Sequence, residues 1–259
     1  MTDRRQVLFG LTTPEDKTLF SSLCDKADKT ILSGVNMYTR FLAPRELNMA
    51  LQRLSPFTDI RTFGGYEDAE RAVLCFYDGS FGYEYFDWPL CAVKVTANGR
   101  AVMRHRDYMG SLLGLGIKRE MLGDIVVCSE YAVVFCHSDI ADFIVYNLTK
   151  VGRMNVSAQV CDCSELDLPK RTYKEKSATV SSLRLDCVVS AASNMSRSNA
   201  AEAIQRGNVF HNYEEAKSTS CTVGDGDIIS VRGYGKYIIS CDGSLTKKGR
   251  YHIDIRQYI

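Results

Sequence analysis

Between Arg184 and Ile239 the hydrophobic period switches from helical to alternating, and that switch confines the segment to a small mixed fold. Leu185, Val188, Val189 and Ala192 recur at i, i+3, i+4 and i+7, one face of a helix. Ser196 follows, a residue type whose side-chain oxygen accepts a hydrogen bond from an unpaired amide at a helix start. Ala200, Ala203 and Ile204 predict the buried face of a second helix, with Gly207 standing where a left-handed residue ends it. Val209–Asn212 and Ile228–Arg232 then read as two short strands, separated by the turn-prone Gly224-Asp225-Gly226-Asp227. The result is a compact helix-turn-helix-strand module.

The chemistry lies at the start of the second predicted helix. Free amides and the positive end of the helix dipole form an anion site there, with Ser196 and Ser198 as donors and Arg197 as a planar partner for phosphate. Arg184, Lys217, Arg232, Lys236, Lys247, Lys248 and Arg250 lie in the same module, and phosphate contacts dominate affinity for nucleic acids. The whole chain balances 32 Lys and Arg against 31 Asp and Glu, so its net charge of +1 exerts no global pull on RNA. Any attraction has to be local, and Lys236 to Arg250 is where a basic face is expected.

Upstream, Thr13-Pro14-Glu15-Asp16 combines an N-cap, a first-turn proline and acidic first-turn residues, and Phe20, Leu23, Cys24 and Ala27 continue at helical spacing. Pro44 opens a second helix with Leu47, Ala50, Leu51 and Leu54 inside, so the first sixty or so residues are expected to be mainly helical. From Ala72 the pattern changes. Ala72–Tyr77, Leu90–Val95, Ile125–Cys128, Ala132–Cys136 and Val156–Val160 read as strands, with helices at Arg106–Leu115 and after Ser138. Beginning at Leu90, the order β-α-β-β-α-β predicts a ferredoxin-like domain, its helices on one sheet face and the other face free to bind a ligand. Many RNA-recognition domains share that topology, but Tyr131-Ala132-Val133-Val134-Phe135 lacks the basic and glycine positions of their aromatic motif. The expected fold class is therefore α+β: a helical region 1–65, a ferredoxin-like (RRM-like) middle domain 66–163, a linker 164–180 and the C-terminal module 181–259. Lys170-Arg171, Lys174 and Lys176 in the linker read as solvated charges.

Arg184-Leu185-Asp186, Ser196-Arg197-Ser198, Ala200, Gly207-x-Val209, Asn212 and Gly226-Asp227 resemble, position by position, the S-four RNA-binding domain, named after a small-subunit ribosomal protein. His105-Arg106-Asp107-Tyr108-Met109-Gly110, Gly114 to Glu120, Gly123-Asp124-Ile125, Val231 to Gly235 and Thr246 to Arg250 resemble the bacterial YlmH family over nearly the whole chain. One position departs: many S-four domains carry Gly after the strand Asn, where Tyr213 stands here. The resemblance implies a cytoplasmic, ribosome-associated protein that binds structured RNA (rRNA or tRNA) on the large ribosomal subunit, in translation quality control of stalled ribosomes.

Catalytic signatures fail on inspection. His105-Arg106-Asp107 opens like a kinase catalytic loop, but Leu112 occupies the position of the metal-binding Asn. Arg104 and Arg106 there are possible RNA contacts. Gly114-Leu115-Gly116 and Gly233-Tyr234-Gly235 do not extend into dinucleotide fingerprints, with Arg119 and Ile238 at the third glycine positions. Arg184-Leu185-Asp186 is like the aspartate motif of pseudouridine synthases, but it sits inside the RNA module, so Asp186 is read as a structural partner near the first helix start. The closest cysteines, Cys161 and Cys163, lack zinc spacing, and the ten cysteines are read as reduced thiols. No signal peptide or apolar membrane run is evident. The reading is a non-enzymatic RNA-binding protein without cofactor, metal or membrane partner; its rivals are an RNA-modifying enzyme with unrecognised catalytic residues and a protein-interaction adaptor.

Overall fold

The computed structural model describes residues 2–79, 86–97, 103–163, 166–247 and 249–259. They form two units, Met1–Pro169 and Lys170–Ile259.

The first unit starts with helices α1 (Arg4–Leu8) and α2 (Pro14–Ser33). Thr13 caps α2 by accepting the Asp16 amide at 3.1 Å, and Gly34, at φ +67°, ends it in the left-handed region. Helix α3 (Pro44–Leu54) opens on its proline, with Glu46 accepting the Ala43 amide. The stretch between these helices is not helical. Met37–Leu42 is strand β1, and with β2 (Asp59–Phe63) and β3 (Ala72–Tyr77) it builds an antiparallel sheet in the order β1-β3-β2. The aromatic and branched residues Tyr38, Thr39 and Phe41 suit a pleated surface, but six residues are too short a run to announce their period. Phe20, Leu23 and Ala27 of α2 and Ala50 and Leu54 of α3 bury against Leu42, Leu74 and Phe76 of this sheet.

Next come β4 (Leu90–Ala97), α4 (His105–Gly114), β5 (Leu122–Val127), β6 (Tyr131–His137), α5 (Ala141–Asn147), β7 (Lys150–Val151) and β8 (Met154–Cys161). They form an antiparallel sheet ordered β5-β6-β4-β8-β7. Ser138 opens a 3-10 turn, and α5 proper begins at Ala141. Tyr108 and Leu112 of α4 and Ile144 of α5 pack on Val93, Val95, Val134 and Cys136, so both helices cover one face of the sheet.

The opposite face, expected to be free, is covered over its β6 half and the start of β4, while Thr96 of β4 and Ser157 and Gln159 of β8 on the same face are exposed. Phe41 and Val73 of the N-terminal sheet pack against Ala92, Val133 and Phe135, and the Tyr66 ring stacks on Phe135 at 4.9 Å. Strand β6 reads apolar at every position from Ala132 to Cys136, the composition of a strand buried on both sides. Polar groups hold the two sheets together. The Asp124 carboxylate accepts the Tyr66 hydroxyl at 3.0 Å and the Glu70 amide at 2.6 Å, while the Arg71 guanidinium donates to the carbonyls of Leu122 and Phe41 at 2.9 and 3.0 Å. Burial, with the nearby Arg119 charge, lowers Arg71 to about 10. Arg119 donates to the Leu122 carbonyl at 2.9 Å. Gly123 is required for this approach, since a Cβ there would stand 2.7 Å from the Phe41 ring and 3.0 Å from Phe135 Cβ.

The second unit contains β9 (Tyr173–Val180), α6 (Leu185–Ser193), α7 (Arg197–Gln205), β10 (Val209–His211), β11 (Glu214–Glu215), β12 (Ile228–Val231), β13 (Gly235–Ser240) and β14 (Tyr251–Tyr258). The antiparallel sheet runs β11-β10-β12-β13-β14-β9, and Leu185, Val188, Val189 and Ile204 of the helices bury against Val209, Ile229, Tyr237, Ile239, Ile253 and Ile255. The expected linker 164–180 needs correction, because β9 pairs with β14 along eight residues. Its charged alternation conceals an edge strand. Lys176, expected to be solvated, donates to the carbonyls of Ala191 and Ala192 at 2.7 and 2.8 Å and to the Asn194 side chain, satisfying the end of α6. The β10–β11 turn has both central residues in the left-handed region, Asn212 at φ +48° and Tyr213 at +68°. A tyrosine there costs on the order of 1–2 kcal/mol relative to glycine.

Gly123→Ala is expected to destabilise the first unit by about 1–3 kcal/mol, since the added methyl separates packed rings. Trp88, the one tryptophan in the sequence, lies in that unit, so a urea titration followed by its emission measures the effect. An unchanged midpoint would mean that the sheets do not approach this closely.

Candidate nucleic-acid interface

The helix pair of the second unit converges on one carboxylate. Arg184 is the N-cap of α6, Asp186 lies in its first turn, and Arg197 is the first residue of α7. Arg184 Nε donates to Asp186 Oδ1 at 3.2 Å and Arg197 Nε donates to Oδ2 at 3.0 Å. Asp186 is 5% exposed while both arginine side chains are about half exposed, so a buried anion holds two guanidiniums whose outer edges reach water. Burial acts to raise the Asp186 carboxyl, but the hydrogen bonds and charges of Arg184 and Arg197 outweigh it and hold the group below its ordinary range. The aspartate read as a structural partner near the helix start is also the organiser of the cations.

Ser196 accepts the Asn199 amide at 3.2 Å, as an N-cap does, and its hydroxyl lies 2.9 Å from that of Ser198. By helix geometry the amides of Arg197 and Ser198 have no intrahelical acceptor, so they and two guanidiniums share one end of the helix pair. The loop after β11 crosses the same end: the Cys221 and Thr219 carbonyls accept the Leu185 and Asp186 amides. Exposed Lys217 is two residues from Thr219.

The remaining cations divide between two ends of the sheet. Lys247 and Arg250, both exposed, lie in the β13–β14 connection, at the end where Tyr251 pairs with Val180 and the chain leaves for Arg184. Arg250 donates to the Thr179 carbonyl there. Lys248 lies outside the described residues. Arg232 is exposed in the β12–β13 turn at the opposite end, its amide donating to the Asn208 carbonyl just past α7. Lys236 sits on the sheet face away from the helices, its ammonium 4.8 Å from the Tyr213 ring centroid and 4.7 Å from that of Tyr258. The structure therefore brings Arg184, Ser196, Arg197 and Ser198 together, with Lys217 on the loop bonded to the start of α6 and Arg250 at the strand end that leads towards Arg184, and it places Arg232 and Lys236 at another end and face of the sheet. Arg104 and Arg106 are exposed at the start of α4 in the first unit, where Asp107 caps the helix by accepting the Arg104 amide at 2.8 Å.

Sequence reasoning missed the partners of Lys236. Arg171 lies over Tyr258 at 5.5 Å, Arg256 over Tyr173 at 5.5 Å, and the two tyrosine rings meet edge to face. The alternation within Tyr251–Tyr258, with Ile253 and Ile255 inward, was the signal that put Arg256 and Tyr258 on a common outer face. The other signature residues of the module are structural. Asp227 accepts the Asn212 side chain at 2.7 Å and the Gly224 amide at 2.7 Å and faces His211 Nε2 at 2.6 Å, which locks the β10–β11 turn to the start of β12.

Charge is divided between the units. Lys170–Ile259 carries 14 Lys and Arg against 9 Asp and Glu, a net of +5, whereas Met1–Pro169 carries 18 against 22, a net of −4. Near neutrality of the whole chain conceals two opposite fields.

Residues 84–165 match a family model described as "Putative RNA-binding domain in YlmH". The chain is 33% identical over 218 residues to the "Ribosome-associated protein quality control protein P2" of Bacillus subtilis (strain 168), covering 83% of this chain and 84% of that protein. The chain belongs to the YlmH family. A solved structure titled "Cell division protein ylmH from Streptococcus pneumoniae" is 19% identical, with a TM-score of 0.52 over 62% of this chain and 99% of that one, a likeness of fold. Within the strings that carry the resemblance in the first unit, Asp107 caps α4, Arg119 holds the turn into β5, Asp124 ties the sheets together and Gly123 permits their contact. Among the described residues no helix is long and apolar enough to cross a membrane.

Because the folded-state carboxyl of Asp186 is depressed, its contribution to stability is complete above the ordinary aspartate value and is lost as pH falls through the folded value. Asp186→Asn is therefore expected to lower the urea midpoint of the second unit at pH 7. The deficit should narrow below about pH 4, where the unfolded carboxyl of the wild type protonates. A deficit independent of pH would show that packing, and not the ion pairs, accounts for it.

Proposed function

We propose that this chain is a non-enzymatic RNA-binding protein whose second unit is an S-four-type module. Its ligand is structured RNA, rRNA or tRNA, met on the large ribosomal subunit during quality control of stalled ribosomes in the cytoplasm. The observation that carries the reading is the shared carboxylate: Asp186 aims Arg184 and Arg197 outward beside the unpaired amides of α7, in the unit with a net charge of +5. A phosphate at that end meets backbone N–H groups, the helix dipole and two guanidiniums together. Lys217, Lys247 and Arg250 extend the contact along the backbone of the RNA, and Lys248 follows Lys247 in sequence. Relatives whose names refer to RNA binding and to ribosome-associated quality control support the same reading. In the first unit the ferredoxin-like face is closed where Ala92, Val133 and Phe135 are buried beneath Phe41 and Val73, which leaves a reduced area along β4 and β8 for stacked bases. The positively charged unit is therefore assigned the main contact.

Arg197→Ala, Lys247→Ala and Arg250→Ala combined should weaken binding to an rRNA fragment and flatten the logarithmic dependence of affinity on salt. The expected change in slope is roughly 0.7 per lost contact on single strands and about 0.9 on duplex. Filter binding between 50 and 200 mM salt, on the order of the range where such slopes are resolved, provides the measurement. Arg232→Ala, at the other end of the sheet, should change the slope less than Arg197→Ala alone. If the triple variant keeps the wild-type slope, the phosphate contact lies elsewhere.

A further inference from the structure

The first unit carries a second candidate site, far different in chemistry from the cationic helix ends. Trp88 stands among Tyr38, Phe63 and Phe86, with ring centroids 5.5, 5.6 and 5.6 Å away. This aromatic group lies where the two sheets of the unit meet, and it opens into a cleft of about 560 Å³ lined by Phe63, Phe86, Trp88, Val160, Cys161 and Asp162. The volume is within the roughly 300–1,000 Å³ of clefts that accept a ligand group. Val160 is 47% exposed at its wall, and Asp87, between Phe86 and Trp88 in the chain, is exposed beside it.

The charge of the surroundings selects the occupant. The unit has a net charge of −4, and the span 84–165, which contains most of the cleft, has 8 Lys and Arg against 10 Asp and Glu. A polyanionic backbone approaching this wall meets repulsion, whereas a cation gains from the field and from the negative faces of the rings. One of these rings already accepts a guanidinium: Arg61 lies 5.4 Å from the Phe86 centroid, and 5.9 Å from that of Tyr77, which meets Phe86 edge to face. We propose that the Trp88 cleft receives an arginine or lysine side chain from a basic segment of a protein partner. The docking of protein by the first unit does not depend on the RNA reading of the second.

Trp88, as the one tryptophan of the sequence, reports occupancy directly through its emission. The full-length protein is titrated with a synthetic peptide of alternating arginine and glycine, and separately with a uridine-rich single-stranded RNA of similar length. A saturable change in Trp88 emission with the peptide is expected, weakening as salt rises. Phe63→Ala should weaken it about 2- to 5-fold, the usual worth of one cation–π contact at an exposed site. Asp87→Asn, at an exposed position between Phe86 and Trp88 and made with the fold checked by circular dichroism, should weaken it further. Arg197→Ala combined with Lys247→Ala should leave the peptide response intact, so loss of the RNA site and loss of this site are read separately. No saturable response, an undiminished affinity in both cleft variants, or saturation of the Trp88 signal by RNA in place of peptide would overturn the proposal.

Discussion

Two arginines can stand side by side only if their own repulsion is balanced, and in this protein Asp186 balances it. The carboxylate is buried at the start of α6 and accepts Arg184 from its own helix and Arg197 from the next, fixing the helix starts relative to each other. Holding charge in this way costs desolvation, which two charge-assisted hydrogen bonds offset. Where the packed helices cross, the aim of the two guanidiniums follows from that one anion.

A comparable economy operates in the first unit, with the opposite purpose. Asp124 and Arg71 join two sheets that meet through Phe41, Val73, Ala92, Val133 and Phe135, and Gly123 lets the rings of Phe41 and Phe135 meet. Closing that interface buries the part of the ferredoxin-like face formed by Ala92, Val133 and Phe135, with the aromatic group around Trp88 at its rim. The unit is also acidic. That charge stands beside a family model over residues 84–165 described as RNA-binding.

Much of the fold was legible because its signals were local. The caps Thr13 and Ser196, the first-turn prolines 14 and 44, and the strand Ala72–Tyr77 all stand where spacing put them. Misreadings fell where the deciding contact was distant in sequence. Met37–Leu42 is a strand because Ala72–Tyr77 pairs with it, and Tyr173–Val180 is a strand because Tyr251–Tyr258 does; neither partner is within reach of a local window. The unbroken apolar run in β6 was a visible sign of burial on both faces, but the sequence did not say what would cover the second one.

By itself the sequence determined the residue types of the candidate site: a serine cap, an arginine at the first helical position, an aspartate in the preceding helix and a surplus of cations after residue 170. Those are properties of short segments and of composition, and they survive without a fold. Only the tertiary structure decided which cations act together. Arg184 and Arg197 share an anion because two helices cross, whereas Arg232 and Lys236 are carried to another end and another face by strand direction and by the two-residue period of β13. Convergence of side chains depends on chain reversal and register, and those are set by long-range pairing.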